Sequence, residues 1–180
     1  MPAARPPLDY ALLGLVNKQP AAGYALRLIF QTTPLGMYSD SPGSIYPALH
    51  RLHRLGLVAA ARERAGRRRR TYRITPKGRR LLRQWLDAPL TYEEVASGNG
   101  GPELRLAFLS DCVGPARVRE FLGAYAGVLD RLHADLTRAR AAMGAQLSTS
   151  ATIAMELGIT LTRARAECCR GAARQIRTAT

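Results

Sequence analysis

Two clusters of cationic residues carry the chemistry this sequence offers. In "SPGSIYPALHRLHRLGLV", residues 41–58, Gly43, Pro47, His50, Arg51 and Arg54 recur at helical spacing, flanked by Ser44 and Tyr46. In "GRRRR", residues 66–70, Arg67, Arg68, Arg69 and Arg70 follow one glycine, and Glu63 is the only acid close by in sequence. Arginine forks onto guanine edges or phosphate oxygens. Hydroxyl and aromatic groups reach phosphates and thymine methyls, and short residues let a helix backbone approach a groove. Four adjacent arginines repel one another, and phosphate relieves that repulsion. Either cluster alone could equally be a solvated helix face or a solvated charge run. The elements that carry them decide between the readings.

Ser41 suits an N-cap and Pro42 a first helical turn. Ile45, Leu49 and Leu52 then form a buried stripe opposite the cationic side, and Gly56 ends the helix. Pro47 lies about a turn and a half in and removes one backbone bond, to the Gly43 carbonyl. Upstream, "LDYALLGLV" from Leu8 and residues 22–32 read as two further helices, separated by Pro20 and Gly23. Downstream, residues 57–63 and 70–74 read as strands of a hairpin that turns at Gly66 and carries the arginines at its tip. Thr75-Pro76 starts a fourth helix with Leu81, Leu82, Trp85 and Leu86 on its apolar face. Three helices, a hairpin and a helix are the order of a winged helix-turn-helix.

Residues 96–102, "ASGNGGP", read as linker. Beyond them the sequence is helical. Val118, Phe121, Leu122, Tyr125, Val128, Leu129, Leu132 and Leu136 form one seam, and Ile153, Leu157, Leu161, Ala164 and Cys168 a second. The expected fold class is mainly α. A winged-helix DNA-binding domain spans 1–88, a linker 89–102 and a helical dimerisation domain 103–180. Phe121, Leu122, Tyr125, Val128, Leu129, Leu132, Leu157 and Leu161 are expected to bury a seam against a second copy.

The charge follows the same division. The net charge is +14 over 180 residues. Residues 1–88 hold 16 basic and 4 acidic residues, and residues 89–180 hold 11 and 9. The first part has the charge of a polyanion binder and the second is nearly balanced. Cys112, Cys168 and Cys169 make no paired framework, which with no export signal at the N-terminus points to reduced thiols in the cytoplasm. No run of about 18 apolar residues suggests a membrane span. His50 and His53 stand three apart but lack the further ligands a metal needs, and His133 stands alone. Glycine-rich phosphate loops and nucleophile elbows are missing, so neither catalysis nor a cofactor is expected.

The string "ALLGLV…GYAL…SPGSIYPALHRLHRLGLV…RRTYRITPKGRRLL", about residues 8–86, resembles the N-terminal domain of PadR-type transcriptional regulators. Gly23-Tyr24, the Ser-Pro-Gly-Ser-Ile-Tyr-Pro-Ala-Leu block and the Tyr-x-Ile-Thr-x-x-Gly ending occur in that family's order and spacing. The resemblance implies a dimeric regulator of double-stranded DNA at a palindromic operator, usually a repressor, often released by a small-molecule effector. It gives Ser44, Tyr46, Pro47, His50 and Arg51 a recognition-helix role and the hairpin a phosphate role. Small multidrug-binding members use aromatic residues on a C-terminal helix. No tryptophan follows Trp85, so that pocket is not implied here. The competing reading is a winged helix that serves as a protein-interaction module. An RNA binder would want more exposed aromatics than Tyr46 and Tyr72.

Overall fold

The computed structural model describes residues 5–39, 41–62 and 70–176. The chain divides into two compact units, Met1–Ala88 and Pro89–Thr180. Among the described residues no helix is long and apolar enough to cross a membrane.

The first unit runs α1 (Pro7–Lys18), β1 (Ala21–Ala22), α2 (Gly23–Thr32), a 3-10 turn (Pro34–Tyr38), α3 (Pro42–Arg54), β2 (Val58–Arg62), β3 (Arg70–Ile74) and α4 (Pro76–Asp87). The hairpin pairs Val58 with Ile74 and Arg62 with Arg70 in antiparallel register. Its tip, including Arg67, Arg68 and Arg69, lies outside the described residues. The short strand β1 joins the other edge of β3, pairing Ala21 with Tyr72, and makes a three-stranded sheet in the order β1-β3-β2. Two alanines between a proline and a glycine carry too little pattern to announce a strand, and only its partner β3 makes it one.

The core collects one apolar stripe from each helix; on α2 it is Leu26 and Phe30, while Tyr24 and Leu28 are exposed. Leu12, Leu13, Leu26, Phe30, Ile45, Leu49, Leu52, Leu82 and Leu86 are fully or almost fully buried. Trp85 of α4 stacks on Tyr10 of α1, with ring centroids 4.3 Å apart and planes at 8°. Its place is thus in the seam between the first and fourth helices.

The second unit contains α5 (Tyr92–Ala96), α6 (Gly101–Val113), α7 (Pro115–Met143), a 3-10 turn (Gly144–Gln146) and α8 (Thr149–Gln175). Residues 89–102 are not the bare linker expected from their glycines. Thr91 caps α5 by accepting from the Glu94 N–H at 3.1 Å. Val95 is buried, and Glu94 meets the buried Arg105 at 3.1 Å. Burial pushes the Glu94 carboxyl above its ordinary range, and Arg105 only partly offsets this.

The apolar seams also divide differently from the expectation. Phe121, Leu122, Tyr125, Val128 and Leu129 are buried inside this unit of a single chain, and Leu132 is half-buried. They are therefore its own core and present no open seam to a partner. The inward stripe of α8 is Thr162, Ala166 and Cys169. Small residues serve there because α7 and α8 lie close. Ile153, Leu157 and Leu161 point outward, 57%, 59% and 62% exposed. Periodicity finds a stripe, but a helix with a large-residue stripe and a small-residue stripe does not say which one turns inward.

A polar knot holds α6, α7 and α8 together. The Tyr125 hydroxyl donates to Glu103 at 2.7 Å, and Arg165 bonds both groups. The Arg165 guanidinium also lies 5.6 Å from the centre of the Tyr125 ring. Burial and the Glu103 carboxylate push the Tyr125 hydroxyl well above its usual range. For Glu103 burial acts upward, but Tyr125 and Arg165 outweigh it and hold the carboxyl below its ordinary range. A carboxyl lowered by folding stabilises fully above its unfolded value and loses that contribution as pH falls through the folded value. Glu103→Gln removes this part of the acid dependence. Thermal melts should show the wild type losing more stability than the variant as pH falls below the ordinary carboxylate range, and equal losses would contradict the assignment.

Candidate nucleic-acid interface

The outer side of α3 is set by how both ends of the helix are closed. At the start, the Ser41 hydroxyl accepts from the Gly43 N–H at 3.1 Å, and Pro42 occupies the first turn. At the end, Gly56 has φ 67°, a left-handed conformation that glycine adopts without a Cβ penalty. The Leu57 N–H then bonds the Leu52 carbonyl at 2.9 Å and the Gly56 N–H the His53 carbonyl at 2.9 Å. This paired closure seats buried Leu57 near buried Leu52.

The start of α4 completes the clamp. The Thr75 hydroxyl lies 2.7 Å from the Gly56 carbonyl and 3.1 Å from that of Leu57, while accepting from the Gly78 N–H at 3.1 Å. Lys77 Nζ donates to the Leu55 carbonyl at 3.0 Å. A Cβ on Gly78 would stand 2.1 Å from the Leu57 carbonyl oxygen, so no side chain fits there. The Tyr-x-Ile-Thr-x-x-Gly pattern is thus structural. Tyr72 and Ile74 anchor the hairpin in the core, Thr75 closes two chain ends, and Gly78 permits the close approach.

Ile45, Ala48, Leu49 and Leu52 face inward, which leaves Gly43, Ser44, Tyr46, Pro47, His50 and Arg54 exposed on α3. Tyr46 lies against the start of α2. A Cβ on Gly23 would be 2.8 Å from its ring, so the glycine of the Gly-Tyr pair makes room for that ring. Beside it Tyr24 is 64% exposed. His53 is turned from its neighbour His50 by a bond between its Nδ1 and the Val58 carbonyl at 3.1 Å. Among the described residues no group of three or more His, Cys, Asp or Glu could hold a metal. Arg70 and Arg73 are exposed on the strand that leaves the hairpin tip.

Arg51 departs from the sequence expectation. It does not stand free on the outer side of α3. Its Nε lies 3.3 Å from Asp9 Oδ2 and its Nη2 bonds Asp9 Oδ1, tying α3 to α1. The Asp9 bond raises the guanidinium's already high pKa. Helical spacing placed Arg51 among the outward cations because Asp9 is 42 positions away in sequence. The available signal was Asp9 itself, an acid embedded among the core positions Leu8, Ala11 and Leu12.

Residues 12–84 match the sequence model of the Transcriptional regulator PadR-like family. Over 46 residues the chain is 54% identical to the transcriptional regulator Rv3488 of Mycobacterium tuberculosis, an alignment covering 25% of this chain and 43% of that protein. The match therefore spans less than half the length of that relative. Similar solved structures include the PadR-like transcriptional regulator BC1756 of Bacillus cereus, 17% identical with a TM-score of 0.39, covering 94% of this chain and 97% of that one. Bacillus subtilis PadR in complex with operator DNA is 19% identical with a TM-score of 0.40, covering 94% and 99% of the two chains. The same Bacillus subtilis protein in complex with p-coumaric acid is 19% identical with a TM-score of 0.40, covering 94% and 98%. Residues 12–84, less than half of the chain, are thus similar to the winged helix of PadR-like transcriptional regulators.

Proposed function

We propose that the chain acts as a homodimer that binds a palindromic DNA operator and represses transcription, with a small effector releasing it. The observation that carries the DNA reading is the outer side of α3. It is exposed, bears Ser44, Tyr46, Pro47, His50 and Arg54, and is fixed at both ends by caps. It belongs to the unit holding the large excess of positive charge. A capped helix with short residues at its start and cations further along is suited to a major groove. Arg70, with Arg67, Arg68 and Arg69 beside it in sequence, supplies backbone or minor-groove contacts. The homodimer is supported by Ile153, Leu157 and Leu161, an outward aliphatic stripe on a helix whose other face is already packed. Repression and effector release rest on the family resemblance, and location in the cytoplasm on the cysteine usage.

Footprinting on the DNA upstream of the chain's own coding sequence tests the reading. Two protected half-sites with centres about one helical turn apart, related by a dyad, are expected. Uniform or absent protection at concentrations where the chain is dimeric would sink it.

A further inference from the structure

Asp9 sits in the first turn of α1, and its side chain is 0% exposed. A carboxylate stripped of water needs charged partners. Arg51 supplies the main one, with Nε on Oδ2 at 3.3 Å and Nη2 on Oδ1. Arg5 adds a looser contact at 3.8 Å. The Arg51 side chain is 37% exposed, so it stands at the border of the reading face with its fork turned inward.

We propose that Asp9 is a positioning residue for DNA specificity: it holds Arg51 off the duplex and fixes the rotation of α3 against α1. The proposal rests on the DNA-binding function above and deepens it. An arginine free at that border would take any phosphate within reach, and phosphate contacts carry no sequence information. They raise affinity for every DNA alike. Holding the guanidinium on a buried carboxylate prevents this. The two-point fork also resists rotation of α3 about its axis, which a single bond would allow. Both effects favour operator over random sequence, and reading falls to Ser44, Tyr46, His50 and Arg54.

The test measures Kd of the full chain for the footprinted duplex and for a scrambled duplex of equal length, across a salt series. Asp9→Asn keeps the shape and removes the charge, which frees Arg51. The slope of log K against log salt should then steepen by about 0.9 for each half-site on both duplexes. The operator-to-scrambled ratio should fall on the order of tenfold. Adding Arg51→Met to Asp9→Asn should return the slope to the wild-type value. A residue with a merely structural role would weaken binding without moving the slope.

If Asp9→Asn does not fold, the double variant, which removes the buried carboxylate together with Arg51, decides alone. A wild-type slope in it supports the proposal. A slope shallower by about 0.9 per half-site means that Arg51 already touches phosphate, and overturns it. An unchanged slope in folded Asp9→Asn overturns it as well. A wild-type chain that binds both duplexes equally instead defeats the function proposed above.

Discussion

Leu157→Glu with Leu161→Glu should leave the chain monomeric and unable to hold its operator. The two leucines are 59% and 62% exposed on α8, and Ile153 extends the stripe by one more helical step. Burying the remaining area of each against a second copy contributes about 1–2 kcal/mol per side chain. A symmetric interface counts every residue twice. Glutamate at these positions costs the helix little, because the buried stripe of Thr162, Ala166 and Cys169 is untouched. Far-UV circular dichroism should therefore be unchanged, while sedimentation shows half the wild-type mass. Operator affinity should fall on the order of a hundredfold or more, since binding one half-site no longer brings the second one near. A dimer that survives both substitutions would place the interface elsewhere.

The second large effect separates the two cationic clusters. His50→Ala with Arg54→Ala should cost operator binding about 1–3 kcal/mol for each base that is no longer read, and leave random DNA much less affected. Replacing Arg67, Arg68, Arg69 and Arg70 with glutamine should instead weaken all DNA by the same factor. It should also flatten the salt slope by about 0.9 for every phosphate that is no longer neutralised. Competition titrations at two salt concentrations distinguish the outcomes. If the hairpin variant lost selectivity and the helix variant did not, the roles would be reversed.

Which parts of the fold were legible follows from the range of the forces involved. Caps, glycine turns and periodic stripes are local, so α3, the hairpin and the long helices could be read directly. The Ser41 cap and the Gly56 turn stand where their residue types place them. Four features needed partners that the local sequence does not show. β1 exists because Tyr72 and Thr71 lie beside Ala21 and Ala22. Arg51 looked free because Asp9 meets it only once α1 and α3 pack. The α7 seam looked free for a second copy because the packing of α8 against it is not visible in sequence, and that packing buries Phe121, Leu122, Tyr125, Val128 and Leu129 within one chain. Residues 89–102 read as linker because their glycines are visible in sequence, and the burial of Val95 and Arg105 is not.

The two glycines of the family pattern show how a motif can be functional without touching a ligand. Gly23 makes room for the Tyr46 ring and Gly78 for the Leu57 carbonyl. Both close approaches fix the bearing of α3, and with it the direction in which Ser44, His50 and Arg54 point.

That direction is the centre of the account, and guanine-N7 methylation interference at the footprinted site measures it most directly. N7 lies in the major groove, so a methyl group there blocks a helix lodged in it. Interference is expected in two major-groove segments about one helical turn apart and nowhere else, lost from both when His50 and Arg54 are replaced. Undiminished binding to fully methylated duplex would mean that α3 does not enter the groove.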